Sequence, residues 1–363
     1  MKPVFILDPR AHLANLCTHA EVVYLEPHLD KLNWLNLSMN PNAMPLLEQH
    51  LEERKNDLNW SVLSTNPSIG SLLKPDLVRL CEKEIDWKYL SRNPRAIPFL
   101  KNHLDKVDWY YLCENEEAIS ILEQHPEKIA WLALSSNPNA MNLLRQNQDK
   151  VRWGRLCCNP NPEAIPLLES RIQSRIEARF PSENIYWHGL SDNPHAMSLL
   201  EKYPDKIVWS HASMNPGILP LLEKNVDKVI WCYMCNDTIT VEVVAFLEKH
   251  VDKLCEDCWH LLSERPVAVP LLEKYPEYID WNRLSRNPAA IPLLEKYPEK
   301  IHWNQLSVNP AALHLLFRLD HETMRQTNVA FREELMAYVF EPDRLMRFSE
   351  HYSVDFRDYI QIY

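Results

Sequence analysis

Along most of this chain the apolar positions recur in one order: Trp, Leu three residues later, a polar Ser and Asn, then Ala-Ile and Leu-Leu, and an Ile two residues before the next Trp. Residues 281–302, WNRLSRNPAAIPLLEKYPEKIH, show the pattern in full. Trp281 and Leu284 lie about one helical turn apart and so share one face of a short first helix. Asn-Pro then punctuates. Asn and Ser favour caps and turns, and Pro fits the first turn of a helix, so a second helix is expected to start near Pro288. Ala290, Ile291, Leu293 and Leu294 supply its apolar face. Pro298 disfavours helical geometry at Tyr297 and ends it. Pro45, Pro98, Pro166, Pro220, Pro270 and Pro292 would each delete a hydrogen bond inside a helix that began at the Asn-Pro step, which argues for a later start.

All twelve tryptophans (residues 34, 60, 87, 109, 131, 153, 187, 209, 231, 259, 281 and 303) stand at this first position, and seven of the eleven spacings are 22 residues, so insertions interrupt a period without erasing it. The pattern predicts an all-α chain: an α-solenoid of about twelve short helix-pair repeats, with the tryptophans in one continuous internal row. A leucine-rich repeat would need a strand where these units have Asn-Pro, and a proline there interrupts the ladder. Residues 1–33 read as a degenerate N-terminal capping repeat, 34–316 as the array, and 317–363 as a C-terminal helical cap or small appended domain. The longest insertion, SRIQSRIEARFPSENIYW, spaces Ile172, Ile176 and Phe180 by four and predicts an extended helix.

The repeated phrase Leu-Ser-x-Asn-Pro-x-Ala-Ile-x-Leu-Leu-Glu, followed by Lys-Ile-x-Trp, resembles the short tandem repeats of proteins from giant nucleocytoplasmic DNA viruses. The resemblance implies a viral origin and a helical repeat fold, and says almost nothing about activity. FREELMAYVFEPDRLMRF, near the C-terminus, resembles the F-box-like tail that follows ankyrin arrays in poxvirus proteins, without its Leu-Pro opening.

A formal charge of -11 argues against a general nucleic-acid binder, whose footprint is basic. The apolar run in MKPVFILDPR is too short for a signal peptide, and no run of 18 apolar residues follows, so the expectation is a cytoplasmic chain, in host cytoplasm or a virion if viral, without membrane contact. Nine cysteines in that setting read as thiols or metal ligands, not as a disulfide framework. Two pairs stand out: Cys232 with Cys235, and Cys255 with Cys258. Each is C-x2-C, and they flank the successive tryptophans Trp231 and Trp259 in a unit that has lost Asn-Pro. The spacing fits a structural zinc site. Cys235 also occupies the usual serine position, shared by Cys113 and Cys157, where small-residue packing accounts for it equally well.

The four glycines form no phosphate-cradling loop, no His-Glu-x-x-His or nucleophile elbow occurs, and the glutamates repeat at one scaffold position. The variable positions remain. Lys88, Tyr89, Arg92 and Arg95, beside Tyr110 and Tyr111, mix cations with aromatics as interface anchors do, and Arg155, Arg283 and Arg286 continue the type. An ordinary solvated face has the same composition at any one of these residues. The expected function is a non-enzymatic scaffold that binds another protein of unknown identity. A ubiquitin-ligase substrate adaptor and a virion structural component are the alternatives.

Overall fold

In the computed structural model, which describes residues 5–177 and 185–319, the repeat is an α-helical unit with two short 3-10 turns. In the Trp281 unit the order is α-helix Trp281–Leu284, 3-10 turn Pro288–Ala290, α-helix Ile291–Lys296 and 3-10 turn Pro298–Lys300. The second α-helix therefore begins three residues after the expected Pro288. Pro288 opens the 3-10 turn, and Pro292 falls within the first α-helical turn, where its missing N–H costs no hydrogen bond. Helices this short do not persist alone, so stacking of neighbours must stabilise them. The all-α repeat solenoid expected from the period is what the chain forms.

The core is aliphatic. Leu284, Ala290 and Leu294, and their counterparts Leu90, Ala96 and Leu100, are completely inaccessible. The tryptophans depart from the expected internal row: Trp34, Trp153 and Trp259 are buried, and the other nine are half-buried. The half-buried indoles sit at the rim, where two kinds of partner meet several of them. One is an aromatic side chain of its own unit, as in Trp281–Tyr297 at 5.4 Å and Trp109–His125 at 5.3 Å. The other is a cation, as in Lys106 over Trp87 at 5.2 Å and Lys150 over Trp131 at 5.1 Å.

Polar links fix one unit on the next. The buried Asn137 caps its own 3-10 turn by accepting the Asn139 N–H at 2.9 Å. Its Nδ2 donates to two carbonyls of the preceding unit, Cys113 at 2.9 Å and Asn115 at 3.0 Å. Asn159, Asn193, Asn215 and Asn309 repeat both carbonyl bonds. The buried serine is equally committed. Ser285 donates its hydroxyl to the Trp281 carbonyl at 2.7 Å and accepts the backbone N–H of His302, the N-cap of the next unit's first helix, at 3.0 Å. Where Cys113 replaces serine, its sulfur accepts the Ala130 N–H at 3.3 Å.

The compact repeat body is Arg10–His314. Its degenerate first unit carries helices Leu13–Leu16 and Val22–Leu25, with Leu13 in the tryptophan position. This unit stacks on the Trp34 unit, where Asn36 donates to the Ala14 carbonyl at 2.8 Å, and also on the Trp303 unit. There the His12 N–H donates to Ser307 Oγ at 2.9 Å, the bond that joins successive units elsewhere. Arg10 lies over the Trp303 ring at 3.5 Å, in the role of the lysines above. Asn15 Nδ2 adds a bond to Asn304 Oδ1 at 3.0 Å. The two ends of the repeat body are thus joined.

The insertion does extend a helix, Ala164–Glu177. Residues 5–9 and 315–319 belong to a second unit, in which strand Phe5–Leu7 pairs antiparallel with Phe317–Leu319. At the start of the 317–363 segment, ahead of the expected helices, Phe317–Leu319 is extended and finds a strand partner. The remainder of that segment, with the F-box-like phrase, lies outside the described residues. Among the described residues no helix is long and apolar enough to cross a membrane.

Candidate functional site

The cysteine pairs meet where the Trp231 and Trp259 units stack. Cys232 lies on helix Trp231–Met234, Cys255 is the N-cap of helix Glu256–Ser263, and Cys258 lies within that helix. Their sulfurs are 3.0 Å apart for Cys232–Cys255, 3.3 Å for Cys232–Cys258 and 3.4 Å for Cys255–Cys258. A disulfide needs about 2.05 Å, so these are three separate thiols around one point. Cys258 is buried, Cys232 half-buried and Cys255 exposed.

The expected fourth cysteine reaches only one of them: Cys235 is in contact with Cys258 but is not among the three whose sulfurs all lie within 4.8 Å of one another. Cys235 stands in the serine position, is fully buried and donates to the Trp231 carbonyl at 3.5 Å, as serines there do. The ligand set of four becomes a cluster of three, Cys232, Cys255 and Cys258. Contact with Cys235 and burial push the Cys258 thiol up, and burial followed by the neighbouring thiols pushes Cys232 up. Cys255 is held below the ordinary thiol value, first by the Cys232 thiol and then by the Cys258 N–H.

The junction that holds the cluster has lost both links of the array. At the asparagine position the Trp231 unit has Asp237 and the Trp259 unit has Arg265. These two pair with each other, and Arg265 Nε donates to the Cys235 carbonyl at 3.4 Å, the acceptor an asparagine would use. The N–H that would reach the serine position belongs to Cys258, and it is turned instead to the Cys255 carbonyl at 3.0 Å. The spacing of the pairs signalled the cysteines; the Arg265–Asp237 substitution carried no signal until the units were in place.

The candidate interface residues are divided by the fold. The first helices of successive units pack side by side, and helices Trp87–Arg92 and Trp109–Glu114 bring Lys88, Tyr89, Tyr110 and Tyr111 together. The Lys88 ammonium lies 4.9 Å over Tyr111 and 5.8 Å over Tyr89, Tyr89 and Tyr111 are 6.2 Å apart, and Tyr110 meets Tyr111 edge-on at 5.6 Å. Tyr111 also raises the Lys88 pKa by hydrogen bonding. Arg92 is engaged with Glu114 at 3.3 Å. Arg95 is elsewhere, in a groove of about 770 Å³ with Phe99 and His103. Arg155 stands on a separate first helix beside Tyr186, and Arg283 and Arg286 both pair with Glu264, at 3.3 and 3.4 Å.

The same face exposes large apolar side chains that a search for cation–aromatic groups passes over: Leu35, Met39, Leu132 and Tyr233 are each between 44% and 55% accessible. The second helices differ. They repeat one motif, a Glu of one unit paired with a Lys of the next, as in Glu169–Lys202 at 2.7 Å and Glu248–Lys274 at 2.6 Å. Compared with family models, with curated proteins and with solved structures, the chain finds no match in any of the three.

Proposed function

We propose that this chain is a non-enzymatic, cytoplasmic scaffold, of viral origin as its repeats suggest, that binds another protein on the layer of first helices. The observation that supports the reading is the contrast between the two helix layers. Second-helix positions are spent on the uniform Glu–Lys pairs of the scaffold. First-helix positions change from unit to unit and expose aromatic and aliphatic groups beside a cation. Lys88, Tyr89, Tyr110 and Tyr111 are the anchor. Rings held by their neighbours lose little side-chain freedom on contact, which is why such groups dominate binding energy. The partner that suits them is a protein segment presenting a carboxylate to Lys88 between apolar side chains.

A photo-crosslinking side chain placed at Tyr110 or Leu132, in cells that naturally express the chain, tests this against one placed at Glu201 on a second helix. Capture of one protein from the first two positions, lost in Lys88→Glu, is the expected result. Equal capture from Glu201, or capture indifferent to Lys88→Glu, refutes it.

A further inference from the structure

We infer that Cys232, Cys255 and Cys258 bind one zinc ion, and that the ion joins the Trp231 and Trp259 units where the hydrogen-bonded links of the array are missing. The first argument is geometric. Sulfurs 3.0–3.4 Å apart are closer than two thiols rest in simple contact, and the centroid of such a triangle is roughly 1.9 Å from each sulfur, inside the ~2.3 Å of a zinc–thiolate bond. An ion bonded to all three therefore stands out of their plane, and tetrahedral bonding at that length opens the sulfurs to about 3.8 Å and leaves a fourth direction free.

Chemistry supports the same assignment. Three soft thiolates select zinc over the hard divalent cations, and each sulfur gives its proton to solvent as it ligates. The third argument is place. At the next junction the buried Asn287 donates to the Ser263 carbonyl at 3.1 Å and Ser263 Oγ accepts the Asp280 N–H at 3.0 Å. At the Cys232 junction the exposed Arg265–Asp237 pair replaces the first, and nothing replaces the second except the thiols. Cys232 comes from one unit and Cys255 and Cys258 from the next, so a single ion bridges the joint.

The test uses the full chain, purified under reducing conditions, with zinc counted by mass spectrometry and cobalt(II) as the spectroscopic probe. We expect one zinc per chain, a thiolate-to-cobalt charge-transfer band, and amide exchange across residues 231–263 that slows with zinc. Cys255→Ser weakens the metal on the order of tenfold or more. Because Cys255 is exposed, that variant keeps its fold even if Cys258→Ser does not. Cys158→Ser, an exposed thiol elsewhere, leaves binding unchanged. A chain that retains no zinc and gives no cobalt band, or that binds equally well as Cys255→Ser, overturns the assignment.

Discussion

Replacing Asn137 by Ala tests whether buried asparagines, not only leucines, hold this array together. Asn137 is 2% accessible and makes three hydrogen bonds: one accepted from the Asn139 N–H and two donated to the carbonyls of Cys113 and Asn115. Alanine removes all three; the Asn115 carbonyl keeps the Ala118 N–H at 3.2 Å, while the Cys113 carbonyl loses its donor at the buried junction. At about 1 kcal/mol per bond, plus the penalty for buried groups left without partners, the loss comes to about 3–5 kcal/mol. That is a large fraction of the roughly 5–15 kcal/mol of an ordinary domain. Asn139 supplies the control. It donates to the Glu116 carbonyl at 3.0 Å across the same junction but is exposed, so water replaces the bond and Asn139→Ala costs about 0.5 kcal/mol or less. Denaturant unfolding gives the totals, and amide exchange locates them, which matters because a repeat array can open unit by unit. Asn137→Asp keeps the acceptor but aims a carboxylate at two carbonyls, so it should be at least as damaging. If Asn137→Ala cost under about 1 kcal/mol, or if the two alanine variants were equal, the ladder would be ornament on a leucine core.

Three further expectations follow from the same packing. Trp259→Ala, which removes a 3% accessible indole stacked at 4.8 Å on Tyr278, should cost about 3–5 kcal/mol, whereas the half-buried Trp131→Ala should cost about half as much; equal losses would contradict the rim placement. Ser307→Ala should speed exchange of the His12 amide, nearly three hundred residues away in sequence, and a His12 amide as protected as before would refute the joining of the ends. Burial pushes the Cys113 thiol up to about 11 from 9.0, so the folded state keeps its proton where the unfolded chain has lost it. The stability this contributes is complete below pH 9 and is lost as pH rises to about 11, so Cys113→Ser, with the residue usual at that position, should flatten the alkaline limb of a stability–pH curve.

How much of this could be read in the chain depended on whether a feature is local. The helix pair, its Asn-Pro punctuation and the stop at Tyr297 follow from backbone preferences within a few residues, and they were legible. The second helix was placed three residues early because a proline opens a 3-10 turn as readily as an α-helix. The tryptophans were assigned to an interior row on hydrophobicity alone. A flat ring with one N–H is well served at the rim, as Trp87 is between His103 of its own unit and Lys106. The second role of asparagine was out of reach, since its acceptors stand 22 and 24 residues earlier and come near only after stacking. Cys235 was different. Alignment with the serines of the other units and the C-x2-C spacing gave it two readings, packing residue and ligand, and its buried bond to the Trp231 carbonyl is the one the serines make.

The joining of the ends was also written in the chain, though not where tryptophan counting looks. Lys106, Lys150 and Lys228 each precede a unit's first residue by three, and each covers the tryptophan of the unit before. Arg10 precedes Leu13 by the same three residues. The tryptophan it covers is Trp303, at 3.5 Å. The sulfur of Cys17 obeys the same bookkeeping, standing in the serine position and accepting the Asn33 N–H from the Trp34 unit. A segment that reads as a worn terminal repeat therefore keeps both contacts that an interior unit needs, one toward each neighbour. What it has lost is the tryptophan and the Asn-Pro step, the features by which the other units are recognised.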